Sequence, residues 1–218
     1  MTLSSSEVKA GVLRSHEEFA DFIEGLTDEQ WNAPSRCEGW TAGDVARHVV
    51  GGMADIAAGR LEGLGTPEVT AREVEERQGH SPSQVAQELR DALKANTQLL
   101  DMFDEAAWNG PAAGGYDGTL TQGVEAIWYD AIVHSDDIAA ATGASFNPGT
   151  EDLRACVHHV AFELEKLGWG PATLALDGIE EVNVGGGGDR VTGDPIGFLR
   201  GATGRGDAIP GVPDIYAE

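Results

Sequence analysis

Six histidines are present, and two of them stand where side-chain spacing can build a site. Asp130 precedes His134 by four residues. On a helix that spacing sends both side chains out of the same face, one above the other. An Asp-x-x-x-His pair facing the interior of a helical bundle can supply two ligands to a divalent cation, with a third coming from another helix. His48 follows Asp44 by the same four residues, on the edge of a separate apolar stripe. Two imidazoles and one carboxylate would leave coordination positions open, as catalytic metal sites do and structural ones do not. Zinc is the first expectation for such a donor set, and iron, nickel and manganese are also compatible with it. The same spacing also arises on solvated helices, where it makes only a minor ion pair.

The remaining candidates read more plainly. His16 sits between Val12 and Phe19 on an apolar stripe and is expected to be a hydrogen-bonded histidine of the core or its edge. His158 and His159 are adjacent on a helix and point about 100° apart, so they read as structural or exposed. Cys37 has no histidine close in sequence to activate it, and with Cys156 it makes two separated cysteines, expected to be reduced thiols. Trp31 and Trp40 are expected to pack rather than to touch a ligand. The run Gly185–Gly188 lacks the spacing of a phosphate-binding loop and reads as a flexible break.

The elements that must hold these side chains are mostly helical. Residues 5–26 carry Val8, Val12, Phe19, Ile23 and Leu26 on one stripe. Thr41 with Asp44 three residues later marks the start of a second helix, although Asp is a weaker partner there than Glu. That helix runs through Val45, Val49, Met53 and Ile56 and is expected to end at residues 63–67. A third spans about residues 81–107, residues 109–118 form a loop, and a fourth runs from about Thr121 to Gly143, a residue suited to ending a helix. Four single-striped helices pack best as a bundle. Beyond them a fifth helix over about residues 150–167, two short strands joined by a turn at Asp177-Gly178, and a last helix begun by Asp194-Pro195 make a small α+β appendage. The expected division is residues 1–147 and 148–218. No internal repeat is expected.

The 218 residues carry 37 acids against 14 bases, a formal charge of −23. Such a surface repels phosphate backbones and anionic membranes. Residues 1–9 have no apolar core of a signal peptide, and no stretch nears the roughly 18 apolar residues of a membrane span. The expectation is a cytoplasmic protein, monomer or homodimer, that binds neither nucleic acid nor membrane. Residues 95–153 hold ten acids and no Lys or Arg.

Two longer motifs carry a resemblance. The first is Trp31-x-x-Pro34-Ser35-Arg36-Cys37-x-Gly39-Trp40-Thr41-x-x-Asp44-x-x-x-His48, and the second is Asp130-x-x-x-His134-x-x-Asp137-Ile138-x-x-Ala141-x-Gly143. Together they resemble the hallmarks of the mycothiol-dependent maleylpyruvate isomerase family, part of the DinB/YfiT-like metal-binding bundles. The resemblance covers about residues 5–145. The tail is similar, more loosely, to a shortened form of that family's sterol-carrier-like C-terminal domain, through Val191-x-Gly193-x-Pro195-x-x-Phe198-Leu199 and Gly204-Arg205. The fold implied is mainly α: a DinB-like four-helix bundle followed by a small α+β domain.

The resemblance implies His48, Asp130 and His134 as ligands of a divalent metal, and mycothiol as thiol cofactor or co-substrate. Some members carry Glu where Asp130 stands, so the ion here would sit nearer the fourth helix or be held less firmly. Its thiolate would add to a small electrophile, then leave after rotation about a cis double bond in an isomerase, or stay attached in an S-transferase. Asp137 is a candidate partner for an imidazole N–H, Arg205 a candidate to hold a substrate carboxylate, and Arg36 a brace for its loop. A metal-binding bundle without thiol chemistry and a metal-dependent amide hydrolase are the alternatives. The base-free stretch favours a neutral electrophile over a dicarboxylate unless the metal or Arg205 compensates the charge.

Overall fold

The computed structural model of the chain describes residues 3–217. Contacts group these into two units, residues 5–147 and residues 148–217 with Leu3 and Ser4. The first unit contains helices α1 (Ser5–Glu24), α2 (Asp28–Trp31), α3 (Ala42–Ala57), α4 (Pro67–Glu76), α5 (Pro82–Asp101), α6 (Glu105–Trp108) and α7 (Leu120–Thr142). Helices α1 and α3 each pack on both α5 and α7, which closes a four-helix bundle. Apolar side chains three and four apart meet in its core: Phe19 and Ile23 from α1, Val45, Val49 and Met53 from α3, Val85 and Leu89 from α5, Ala131 and Ile138 from α7. Reciprocal capping boxes start four helices of this unit, Thr27 with Gln30, Thr41 with Asp44, Ser81 with Gln84 and Thr119 with Gln122. Gly143 ends α7 in the left-handed conformation, at φ 68°.

The structure differs from the sequence reading in several places, and α3 ends at Ala57, with Ala58 as its cap, rather than at residues 63–67. The chain after α3 does not stay a loop: Thr66 accepts a hydrogen bond from the Val69 N–H and Pro67 takes the first helical position, so α4 forms and packs against α3. The helix expected to reach residue 107 stops at Asp101, because Asp104 caps a separate turn, α6, by accepting from the Ala107 N–H. A third strand appears in the tail. Finally, the bundle contains a local repeat. Trp31-Asn32-Ala33-Pro34 and Trp108-Asn109-Gly110-Pro111 each close a one-turn helix. In both, the Asn side-chain amide donates to the carbonyl four residues back, Asp28 at 2.7 Å and Glu105 at 2.8 Å. In both, an isolated bridge follows (Pro34 with Thr41, Pro111 with Thr119) and a threonine then caps the long helix. The bundle is thus two helix–turn–helix halves, α1 to α3 and α5 to α7, with α4 inserted between them.

The second unit holds α8 (Thr150–Lys166), strands β1 (Ala172–Leu176), β2 (Val182–Val184) and β3 (Asp189–Gly193), and α9 (Pro195–Ala202). The strand order is β2-β1-β3. β1 pairs antiparallel with β2, Ala172 opposite Val184, and parallel with β3, Leu174 opposite Val191. Asp194 caps α9 by accepting from the Gly197 N–H at 2.7 Å. The glycine run is shaped backbone rather than a loose break: Gly185, Gly186 and Gly187 take φ of 58°, 90° and 85°, the left-handed region that only glycine enters freely. That geometry carries the chain from β2 round to β3. Among the described residues no helix is long and apolar enough to cross a membrane.

One glycine decides how α4 sits. A Cβ on Gly51 would lie 2.4 Å from the Glu73 Cβ, an atom fixed to the α4 backbone. Replacing Gly51 with Ala is therefore expected to destabilise the fold. The overpacking cost of about 1–3 kcal/mol outweighs the helix-propensity gain of about 1 kcal/mol. A lower urea midpoint is the expected result, and an unchanged or higher one would show that α4 is not pinned there.

Candidate metal centre

The two long helices that follow the capped turns bring the candidate ligands together. His48 comes from α3, Asp130 and His134 from α7, and one donor atom from each lies within 4.8 Å of the others. The His48 Nε2 is 3.7 Å from Asp130 Oδ2, and the His134 Nε2 is 3.3 Å from Asp130 Oδ1. Bonds of about 2.0–2.1 Å in a tetrahedral arrangement would separate donor atoms by about 3.3 Å, so little movement is needed to hold zinc. The rings stand edge to face, with centroids 5.3 Å apart. The side chain of Trp40, in the loop before α3, lies beside them, its ring centroid 5.6 Å from that of His48.

Both imidazoles are gripped from behind. The His134 Nδ1 lies 2.9 Å from Asp137 Oδ2, and the His48 Nδ1 lies 2.8 Å from Glu73 Oε2. The carboxylates fix each ring so that Nε2 faces Asp130 and raise its strength as a ligand. They reach the rings by different routes. Asp137 is three residues after His134 on the same helix. The position three residues after His48 is Gly51, whose missing side chain lets Glu73 come in from α4. Sequence reading passed over Glu73 because it passed over α4. The signal was there, in Thr66-Pro67, a capping residue followed by proline at the first helical position.

Asp137 is itself fully buried and held on its other side. Arg36 Nε lies 3.3 Å from Asp137 Oδ1, its Nη1 lies 3.3 Å from Asp136, and its Nη2 donates to the Asp136 carbonyl. Arg36 therefore ties the loop before α3 to α7 rather than only bracing that loop. Cys37, in the same loop, donates to Asp137 Oδ2 at 3.5 Å. Trp31 is buried in the bundle core. His16 is fully buried on α1, with Nδ1 2.8 Å from the Val12 carbonyl oxygen. Burial pushes its pKa down to about 4, against the pull of that hydrogen bond and of Asp130, so it stays neutral. In the second unit, His158 lies near Glu180 and His159 is buried. Arg205 also belongs to that unit, where its guanidinium lies over the Tyr216 ring and donates to the Thr203 carbonyl.

The fold and this cluster define a class: four-helix bundles with a carboxylate and two imidazoles gathered between two helices, followed by a small α+β unit. The crystal structure of the mycothiol-dependent maleylpyruvate isomerase has the same fold, with a TM-score of 0.67 at 18% identity over 98% of this chain and 99% of that one. The crystal structure of a histidine-to-alanine mutant of it gives 0.66 over the same shares, again at 18% identity. The sequence model of the mycothiol maleylpyruvate isomerase N-terminal domain matches residues 12–139, more than half of the chain. The chain belongs to that family. No curated protein matches it.

Without an ion the cluster holds charge of its own. Burial alone would lower the pKa of His134 and His48, but the Asp130 carboxylate and the hydrogen bonds outweigh it, and both are raised, His134 well above its usual value. Burial would raise Asp130, yet the two imidazoles hold it well below the carboxylate range. An ion must displace the imidazole protons. Metal affinity should therefore fall as the pH falls, with about one to two protons released per ion at neutral pH. Calorimetry in buffers of different ionisation enthalpy measures this, and a proton count of zero would contradict it. Glu73→Gln and Asp137→Asn should each weaken metal binding about 10–100-fold, as read by competition with a chromogenic chelator.

Proposed function

We propose that the chain is a divalent-metal-dependent enzyme that uses mycothiol, as an isomerase or S-transferase acting on a small electrophile. The observation that carries this reading is the convergence of His48 Nε2 and His134 Nε2 on Asp130, each ring held from behind by a buried carboxylate, in a chain of this family. The donor set suits zinc, bound through the two Nε2 atoms and the Asp130 carboxylate. A bound divalent ion would lower the pKa of a thiol at the site so that it is a thiolate near neutral pH.

The chain's own residues supply orientation. Glu73 and Asp137 accept hydrogen bonds from the Nδ1–H of His48 and His134 and so turn both Nε2 atoms toward Asp130, where a bound ion would replace their protons. Trp40 gives that side of the centre an apolar wall, which strengthens charge interactions within it. The substrate class follows from charge. Each Lys and Arg of residues 5–147 faces a carboxylate at ion-pair distance, Arg36 toward Asp136 and Asp137, Arg47 toward Asp44 and Arg77 toward Glu88 among them. A dicarboxylate would compete with these pairs, so the reading favours a neutral or weakly acidic electrophile. Arg205, in the second unit, is proposed to hold a carboxylate.

Metal content and turnover test this. Purified wild-type protein should carry a stoichiometric divalent ion, and His48→Ala and His134→Ala should lose most of it. Equal metal in all three would remove the centre. Turnover of a small electrophile should require mycothiol, with glutathione a poor substitute. Turnover that needs no thiol would overturn the proposal in favour of hydrolysis.

A further inference from the structure

The edge of the His134 ring that faces away from Asp130 meets a second donor set. Cys37, His134 and Asp137 each bring a donor atom within 4.8 Å of the other two. Cys37 Sγ lies 3.5 Å, and His134 Nδ1 2.9 Å, from the same oxygen, Asp137 Oδ2. We propose that these three residues form a second cation position, selective for thiophilic divalent ions such as cadmium, that shares the His134 ring with the centre described above. It does not rest on the catalytic reading, because neither His48 nor Asp130 takes part in it.

The donor types set the selectivity. A thiolate, an imidazole nitrogen and a carboxylate oxygen suit a soft or borderline ion, whereas the Asp130 set contains no sulfur and has no such bias. Thiolate and carboxylate together bring the two negative charges that balance a divalent ion. Binding is a proton exchange: the Cys37 S–H and the His134 Nδ1–H each release a proton to solvent, bonds from Sγ, Nδ1 and Oδ2 to the ion replace them, and Nε2 keeps its own proton toward Asp130. Arg36 holds Asp137 through the other oxygen, Oδ1, so Oδ2 can turn to the ion while that ion pair persists. The guanidinium and the neighbouring Asp136 act on the incoming charge with opposite sign. Entry is open from the loop side, since Cys37 is only partly buried while Asp137 is fully covered.

Occupation has a consequence for the first centre. Asp137 Oδ2 is the acceptor that orients His134, and an ion bound to it removes that acceptor. Thiophilic ions should therefore act on the primary centre from behind, without competing for His48 or Asp130.

Cadmium titration followed by the ultraviolet thiolate-to-cadmium absorption tests the assignment. The band is expected in wild-type protein, in Cys156→Ala, which leaves Cys37 as the remaining thiol, and in His48→Ala. It is expected to be lost in both Cys37→Ser and Cys37→Ala, with circular dichroism confirming that they are folded. Asp137→Asn should raise the cadmium concentration at half-saturation at least tenfold. No band in wild-type protein, or a band that persists in the Cys37 variants, would overturn the second position. Loss of the band in His48→Ala would overturn it differently, by showing that Cys37 serves the first centre. Failure of the catalytic reading alone leaves the expected pattern unchanged.

Discussion

Asp130 sits between two imidazoles, and the rest of the helical unit is arranged so that it can. Asp130 is only partly withdrawn from water, its side chain 38% exposed, and a carboxylate so placed is favoured where positive groups meet it. Here the two histidines do so, one from its own helix and one from across the bundle. The arrangement requires α3 and α7 to lie side by side with their histidine faces matched. The apolar stripes of α1 and α5 enforce that placement by packing on both. The interaction is self-balanced without an ion, and the same donor atoms lie within 4.8 Å of one another, close enough to share a divalent cation. Any ion held there would compete with the protons of the two imidazoles that face this carboxylate.

The stripes, the caps and the Asp130–His134 pair were legible in the sequence because each is a short-range pattern, whereas His48 joined them only through the family resemblance, and the structure brings the three side chains together. Val45, Val49 and Met53 recur at helical spacing, Thr41 and Asp44 cap reciprocally, and Asp130 and His134 share a face by arithmetic alone. What escaped notice depends on contacts between segments. Glu73 has no mark of its own. It matters because Gly51, 22 residues earlier, leaves a gap that its helix fills. The break between α5 and α6 turns on Asp104 competing for the backbone as a cap, against a stripe that continues in register to Phe103. The strand β3 has few strong strand formers and exists because β1 offers it an edge. The paired Trp-Asn-x-Pro turns were visible as letters. Their equivalence shows only when the same two hydrogen bonds, from asparagine amide to carbonyl and from helix start to turn, recur in both halves.

The charge of the chain takes a different meaning in the folded protein. Much of the acidity is spent in local partnerships with the bases of residues 5–147, and a few acids are fully buried with specific duties. Glu73 and Asp137 hold rings and Asp55 receives both Arg60 and Arg72, while Asp130, which faces the imidazoles, stays partly exposed. Arg36 stands out among the bases because its two carboxylates lie on the helix that carries His134. It links the loop bearing Cys37 and Trp40 to the metal-facing helix.

The two halves of the bundle reach the same end by unequal means. One histidine is steadied by an acid on its own helix, at a distance set by the helical rise and unable to drift. The other is steadied by an acid on an inserted helix whose main packing is against α3 alone. Changes in α4 would thus vary the grip on His48, and with it the affinity of any ion held there, while the His134 side and the bundle core stay as they are. The insertion is placed as a tuning screw: a segment outside the repeated architecture through which the setting of His48 can be changed without redesigning the fold.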